Sequence, residues 1–133
     1  MTIARFLNGV FEDEQHSETS IALKYPVNDE TLQELINCCV MLEYNLLDFI
    51  NVYSHDKKNL LRVGVVRGEK YSFLDFEPNK YKVTLSIDAL QALLSFLLVC
   101  LRDSQYFPNH IDIELTSNHS AWQDCTFIFA YPD

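Results

Sequence analysis

The stretch KYKVTLSIDALQALLSFLLVCL, residues 80–101, contains both periodicities on which the fold prediction rests. In its first part Tyr81, Val83 and Leu85 alternate with polar residues, the spacing of a strand with one buried face. Ser86 can then cap a helix, which has apolar residues on more than one face: Leu90, Leu93, Leu94, Leu97, Leu98 and Leu101. A helix that is apolar nearly all round is buried on several sides. The stretch therefore predicts a strand and then a helix that lies across a sheet.

A second helical pattern begins after Pro26, which ends the strand before it because proline has no ladder donor. Asn28 or Asp29 can cap this helix, and Asp29 and Glu30 are favourable at its positive end. Apolar residues at helical spacing continue to about Glu43. The sequence therefore predicts two main helices.

The remaining segments are predicted to be strands, namely 2–11, 19–25, 47–53, 61–65, 71–75, 111–116 and 125–131. Residues 44–53 also fit a helix, and the strand is favoured there. A polar loop is expected at 12–18, a turn at 55–59, a hairpin around Arg67-Gly68-Glu69 and a turn at Pro78-Asn79. Consecutive hairpins predict a mostly antiparallel sheet.

Composition fits one packed domain. The 133 residues are 48% hydrophobic, which is too apolar for a disordered chain, and only 3 are glycine. No internal repeat or domain boundary is visible. The predicted fold class is α+β, a single domain over residues 1–133 in which two main helices pack on the sheet.

The expected compartment is the cytoplasm. The N-terminal residues lack an apolar core of the length that a secretory signal has. The longest apolar stretch, Ala89–Leu101, falls short of the ~20 residues that cross a bilayer. The cysteines are then expected to be reduced and buried, with no zinc spacing among them: Cys38, Cys39, Cys100 and Cys125.

Charge is unevenly distributed along the chain. The net charge is −9, which disfavours nucleic acid and anionic membranes as partners and favours a basic protein. Residues 12–34 hold seven acids against Lys24, whereas residues 57–82 hold seven bases against three acids. Such segments would orient an electrostatic encounter if they stay separate, and would not if folding interleaves them.

Motifs for catalysis are weak. His110, Asp112 and Glu114 share one face of a predicted strand, where they fit a solvated face better than a metal site. Ser117, His119 and Asp124 lie too close in sequence to indicate a catalytic triad, which is assembled in space. The prediction is a protein that is not an enzyme and that has no metal or cofactor.

The stretch VTLSIDAL at 83–90 leading to HIDIE at 110–114 is similar in style to immunity proteins of bacterial toxin–immunity systems, including contact-dependent growth inhibition. That resemblance implies a cytosolic inhibitor that blocks the active site of a cognate toxin, often a basic nuclease. Carboxylates opposite an electropositive nuclease site would mimic its substrate.

The residues expected to contact such a partner are acidic, with an aromatic anchor: Glu12, Asp13, Glu14, Glu18, Asp29, Glu30, Asp112, Glu114 and Trp122. Tyr106 and Phe107 are further candidate anchors. Two alternatives stay open. One is an adaptor or subunit that binds a host protein through the apolar second helix or a sheet edge, and the other is a small hydrolase that uses His110, Asp112, Glu114 or His119.

Overall fold

A computed structural model describes residues 2–103, 109–116 and 124–130. Within them the chain forms two helices, α1 (Asp29–Glu43) and α2 (Ile87–Arg102). The strands are β1 (Ala4–Ser17), β2 (Ser20–Pro26), β3 (Phe49–Ser54), β4 (Leu60–Val66), β5 (Ser72–Glu77), β6 (Lys80–Ser86), β7 (Asn109–Thr116) and β8 (Asp124–Ala130).

The eight strands close into a barrel in the order β1-β2-β8-β7-β5-β6-β4-β3. Four neighbouring pairs are antiparallel hairpins: β1–β2, β3–β4, β5–β6 and β7–β8. The other four are parallel: β1–β3, β2–β8, β4–β6 and β5–β7. The sheet is therefore half parallel, and the prediction of a mostly antiparallel sheet packed with two helices is correct only in its α+β content.

The architecture repeats although the sequence shows no repeat. Each half of the chain runs strand, strand, helix, strand, strand, and the pairing scheme is unchanged when β1–β4 are exchanged with β5–β8. The turns that join β1 to β2, β3 to β4 and β5 to β6 consequently lie at one end of the barrel, and α1 and α2 begin at the other. We call the first of these the hairpin end.

Both helices begin where the sequence predicts. Asn28 caps α1 in a reciprocal pair with Thr31, whose backbone N–H donates to Asn28 Oδ1 at 2.9 Å. The hydroxyl of Ser86 accepts the N–H of Ala89 at 3.2 Å and so caps α2. Each cap satisfies a donor that the first turn leaves free.

The interior is filled from all sides. Inward side chains of the strands and the inner faces of both helices form one buried cluster, which includes Phe11, Leu32, Leu74, Leu90 and Leu97. A small apolar cavity of ≈ 50 Å³ remains between the two helices and the strands. The prediction that α2 is buried on several sides is wrong for the helix as a whole, because the side chains of Leu98 and Leu101 on its outer face are 48% and 38% exposed.

Two local predictions are also wrong. The hairpin around Arg67-Gly68-Glu69 is absent, because β4 pairs in parallel with β6 and β5 pairs with β6 through Pro78-Asn79. The supposed loop at 12–18 is mostly strand, since β1 continues to Ser17 along β2. The strand at 47–53 and the turns at 55–59 and Pro78-Asn79 are confirmed.

The free cysteines Cys38, Cys39, Cys100 and Cys125 are all buried, as expected. Among the residues described, neither helix has the length and apolar character needed to span a bilayer.

Candidate functional site: an acidic barrel wall

The strands β1, β2, β8 and β7 form one wall of the barrel, and their register sets its outer surface. Leu23 on β2 and Phe127 on β8 line the interior cavity and pair with each other. Because side chains alternate along a strand, the residues on either side of them face outward. Three outward rows cross the wall: Glu12, Lys24, Ile128 and His110; Glu14, Ala22, Thr126 and Asp112; and Ser20, Asp124 and Glu114.

This outer surface is acidic, and we call it the acidic wall. It carries the carboxylates of Glu12, Glu14, Asp112, Glu114 and Asp124. Among the described residues of Glu12–Ser17, β2, β7 and β8, Lys24 is the only lysine or arginine. Adjacent strands are about 4.8 Å apart, so the wall is roughly 14 Å wide from β1 to β7. The barrel thus brings together acids from the two ends of the sequence.

The strands β3, β4, β6 and β5 form the opposite wall, which we call the basic wall. Its outward bases are Arg62, Lys80 and Lys82. Lys80 lies directly opposite Glu77 and Lys82 opposite Asp75, so most of this charge has a cross-strand partner of the other sign. Glu12 and Glu14 thus lie on the wall opposite these bases, whereas Lys70, also from the basic segment, lines a groove together with Asp112 and Glu114.

Asp13 differs from its neighbours because it points to the inner side of β1. Its Oδ2 accepts a hydrogen bond from the hydroxyl of Tyr81 on β6, at 2.5 Å. Burial, and then the Asp13 carboxylate, raises the pKa of Tyr81 well above its usual value. Asp13 thus links β1 to β6 at the hairpin end, and it is less available to a partner than Glu12 and Glu14.

The other predicted contact residues are dispersed. Glu18 lies in the exposed turn between β1 and β2, beside the acidic wall. Asp29 and Glu30 lie in the first turn of α1, at the end of the barrel opposite the hairpin end, so they do not join that surface. Trp122, Tyr106, Phe107 and His119 lie outside the described residues. Asp124 joins the acidic wall through the pairing of β8 with β2.

Two of the alternative catalytic residues, His110 and Asp112, lie next to each other on the outward face of β7. Nε2 of His110 is 3.7 Å from Asp112 Oδ2, and Asp112 Oδ1 accepts the hydroxyl of Thr126 at 2.6 Å. No group of three or more His, Cys, Asp or Glu residues there is placed to hold a metal ion. Glu114 lies beyond this pair on the same outward face of β7.

A groove of ≈ 320 Å³ runs between β7 and the start of α2. It opens because β5 pairs with β7 only at Ser72–Leu115 and Phe73–Thr116. Asp112 and Glu114 line it, while Ser72 and Ser86 have structural roles: the Ser72 hydroxyl accepts the N–H of Ser86 at 2.9 Å. The same Ser72 hydroxyl donates at 3.4 Å to the Ser86 hydroxyl that caps α2.

No family model matches the chain, and no curated protein matches it. The acidic wall is thus the feature from which a function has to be argued.

Proposed function

We propose that this protein is a non-catalytic inhibitor that binds a basic partner, as an immunity protein binds a toxin domain and blocks its active site. The observation that carries the proposal is the acidic wall, where five carboxylates face one lysine. A surface of one sign attracts and orients a partner of the other sign.

A nuclease-type toxin fits this surface best among basic partners. Its active site has to be electropositive in order to bind phosphates. Carboxylates held on a rigid sheet occupy such a site without the conformational cost that a flexible acidic loop would incur. On this proposal the wall competes directly with the nucleic acid.

The first experiment identifies the partner. The gene next to the one that encodes this chain should encode a toxin C-terminal domain, which should arrest growth when expressed alone. Co-expression of this protein should restore growth, and addition of the purified chain should suppress the toxin's activity at a one-to-one ratio. Failure of the chain to protect cells from a neighbouring toxin, or the absence of any such neighbour, would contradict the proposal.

The second experiment tests the surface. We expect Glu12→Lys with Glu14→Lys to slow association with the toxin domain by about tenfold or more at low salt, since steering depends on charge. The matched control is Asp75→Lys with Glu77→Lys, which changes the net charge equally on the basic wall. Stopped-flow association at two ionic strengths gives the comparison.

The thermal midpoint of the acidic-wall variant should stay close to that of the wild type, because exposed charges contribute about 0–1 kcal/mol each. Equal slowing by both variants would show that only net charge matters. Salt-independent association would reject electrostatic recognition.

A second candidate function has one specific observation in its favour. Leu98 and Leu101 expose apolar surface on the outer face of α2, as an adaptor that docks through this helix requires. If Leu98→Lys abolishes binding to the captured partner while the acidic-wall variant does not, the adaptor function replaces the inhibitor.

A further inference from the structure

The two sides of β1 are not paired over the same length. Its pairing with β3 stops at Phe11 and Ser54, and the N–H of His55 donates to the carbonyl of Phe11 at 3.1 Å. Its pairing with β2 continues to Ser17. Over Glu12–Ser17, therefore, no described strand pairs with the β3 side of β1. We call this stretch the free edge.

The turn between β3 and β4 is held by hydrogen bonds of its own, and it follows the point where the pairing of β1 with β3 ends. The hydroxyl of Ser54 donates to Asp56 Oδ1 at 2.7 Å, and the N–H groups of Lys58 and Asn59 bond to the same two side chains. A notch lined by Phe11, Asp13, Ser54, His55 and Asp56 marks the point where β3 departs. An extended segment can enter the sheet there.

An unpaired edge is a template for another strand, and charged side chains are the usual protection against self-association. Here Glu12 and Glu14 would meet the same residues of a second copy, so like charges oppose pairing between two copies. The same carboxylates favour a strand that carries lysine or arginine. The free edge therefore disfavours pairing with a second copy of the chain and favours pairing with a basic segment.

We propose that a basic, extended segment of the partner adds to the sheet along Glu12–Ser17. This rests on the proposed function, because it names how the basic partner binds the acidic wall. Main-chain hydrogen bonds would supply the pairing, and Glu12 and Glu14 would face alternate basic side chains. Six residues of the partner, about 20 Å of extended chain, fill the edge.

The test uses the full chain and a synthetic probe, a heptapeptide of alternating lysine and valine with blocked termini. Its control is the same peptide with alternate backbone amides N-methylated, which keeps the charge and blocks pairing on one edge. A second control replaces lysine with glutamate. Affinity is measured by fluorescence anisotropy, and amide hydrogen exchange locates the bound peptide.

We expect the lysine peptide to slow amide exchange within 12–17, the N-methylated peptide to bind at least about tenfold more weakly, and the glutamate peptide not to bind. Equal affinity of the methylated and unmethylated lysine peptides overturns strand addition but leaves the acidic wall as a charged surface. Protection at 109–114 moves strand addition to β7 and overturns this assignment. Absence of binding by any lysine peptide at low salt overturns both this inference and the electrostatic basis of the proposed function.

Discussion

The acidic wall and the basic wall enclose the same apolar interior, yet their charges are engaged differently. On the basic wall, Arg62 Nε donates to Asn51 Oδ1 at 3.1 Å, and its guanidinium lies 4.6 Å from the centre of the Phe49 ring. Lys80 and Lys82 face carboxylates on β5. On the acidic wall, Glu12 and Glu14 are exposed, and among the described residues of these strands Lys24 is the only lysine or arginine in their register.

The contrast separates charges that bond to buried neighbours from charges that are exposed to solvent. A charge that bonds to a buried neighbour contributes to stability and resists substitution. Exposed charges of one sign contribute little to stability and raise the potential outside the surface. Sequence counts alone could not separate these roles, since both segments hold the same number of charges of their dominant sign.

The largest loss of stability is expected from a substitution in the interior that both walls share. Leu97 is fully buried on α2, so Leu97→Ala should lower the free energy of unfolding by about 2–5 kcal/mol. Leu94→Ala should cost less, because Leu94 is only partly buried. Leu98→Ala, one position from Leu97 on the exposed face, is the matched control. Urea denaturation of the three variants gives the order, and an equal loss in Leu97→Ala and Leu98→Ala would contradict the placement of α2.

A smaller loss of stability should distinguish a charge of the basic wall from a charge of the acidic wall. Asn51 is 1% exposed, and Arg62→Ala leaves its side-chain oxygen without the donor described above. We expect a loss of about 1–3 kcal/mol, the cost of an unsatisfied buried polar group. Lys24→Ala on the acidic wall should change stability by no more than about 0.5 kcal/mol. If both alanine variants unfold at the same urea concentration, the charges of the two walls do not differ in their structural role.

A further effect appears only at high pH and reports on two buried thiols. Burial raises the pKa of Cys39 on α1 and of Cys125 on β8 to about 12, with smaller contributions from Cys38 and Asp112 respectively. Above pH 9 the unfolded thiols lose protons that the folded ones keep, so stability should fall by about 1.4 kcal/mol per pH unit for each thiol up to about pH 12.

Urea midpoints at pH 8 and pH 10 under reducing conditions test this dependence. Cys125→Ala should be less sensitive to pH than the wild type. An unchanged pH dependence in that variant would mean that the Cys125 thiol titrates as it does in the unfolded chain.

Local features of the fold were predictable from the sequence. Asn28 and Ser86 cap the helices because their side chains bond to residues three positions away, and Pro78-Asn79 turns because Asn79 tolerates its φ of +65°. Such contacts are encoded within a few residues. The strands β4 and β5 were predictable as strands but their neighbours were not, because alternation is the same in parallel and antiparallel pairs.

The acidic wall was predictable only in part. The excess of acid at 12–34 is visible in the sequence, and Glu12 and Glu14 lie on the wall. Asp29 and Glu30 belong to the same segment but fold to the other end of the barrel. Their separation, and the arrival of Asp124 and Glu114 beside β2, follow from the β2–β8 register, which joins residues about a hundred positions apart.

That register also sets the order of assembly. The basic wall is built from consecutive strands, Phe49–Ser86. The acidic wall forms only when β2 pairs with β8, which brings Ser20 next to Asp124. Contacts that close long loops form late, because the chain loses conformational entropy on closing the loop before strand pairing stabilises it. During synthesis β2 has no neighbour on its β8 side until Asp124–Ala130 has left the ribosome. A chain that lacks Asp124–Ala130 therefore cannot form the full acidic wall.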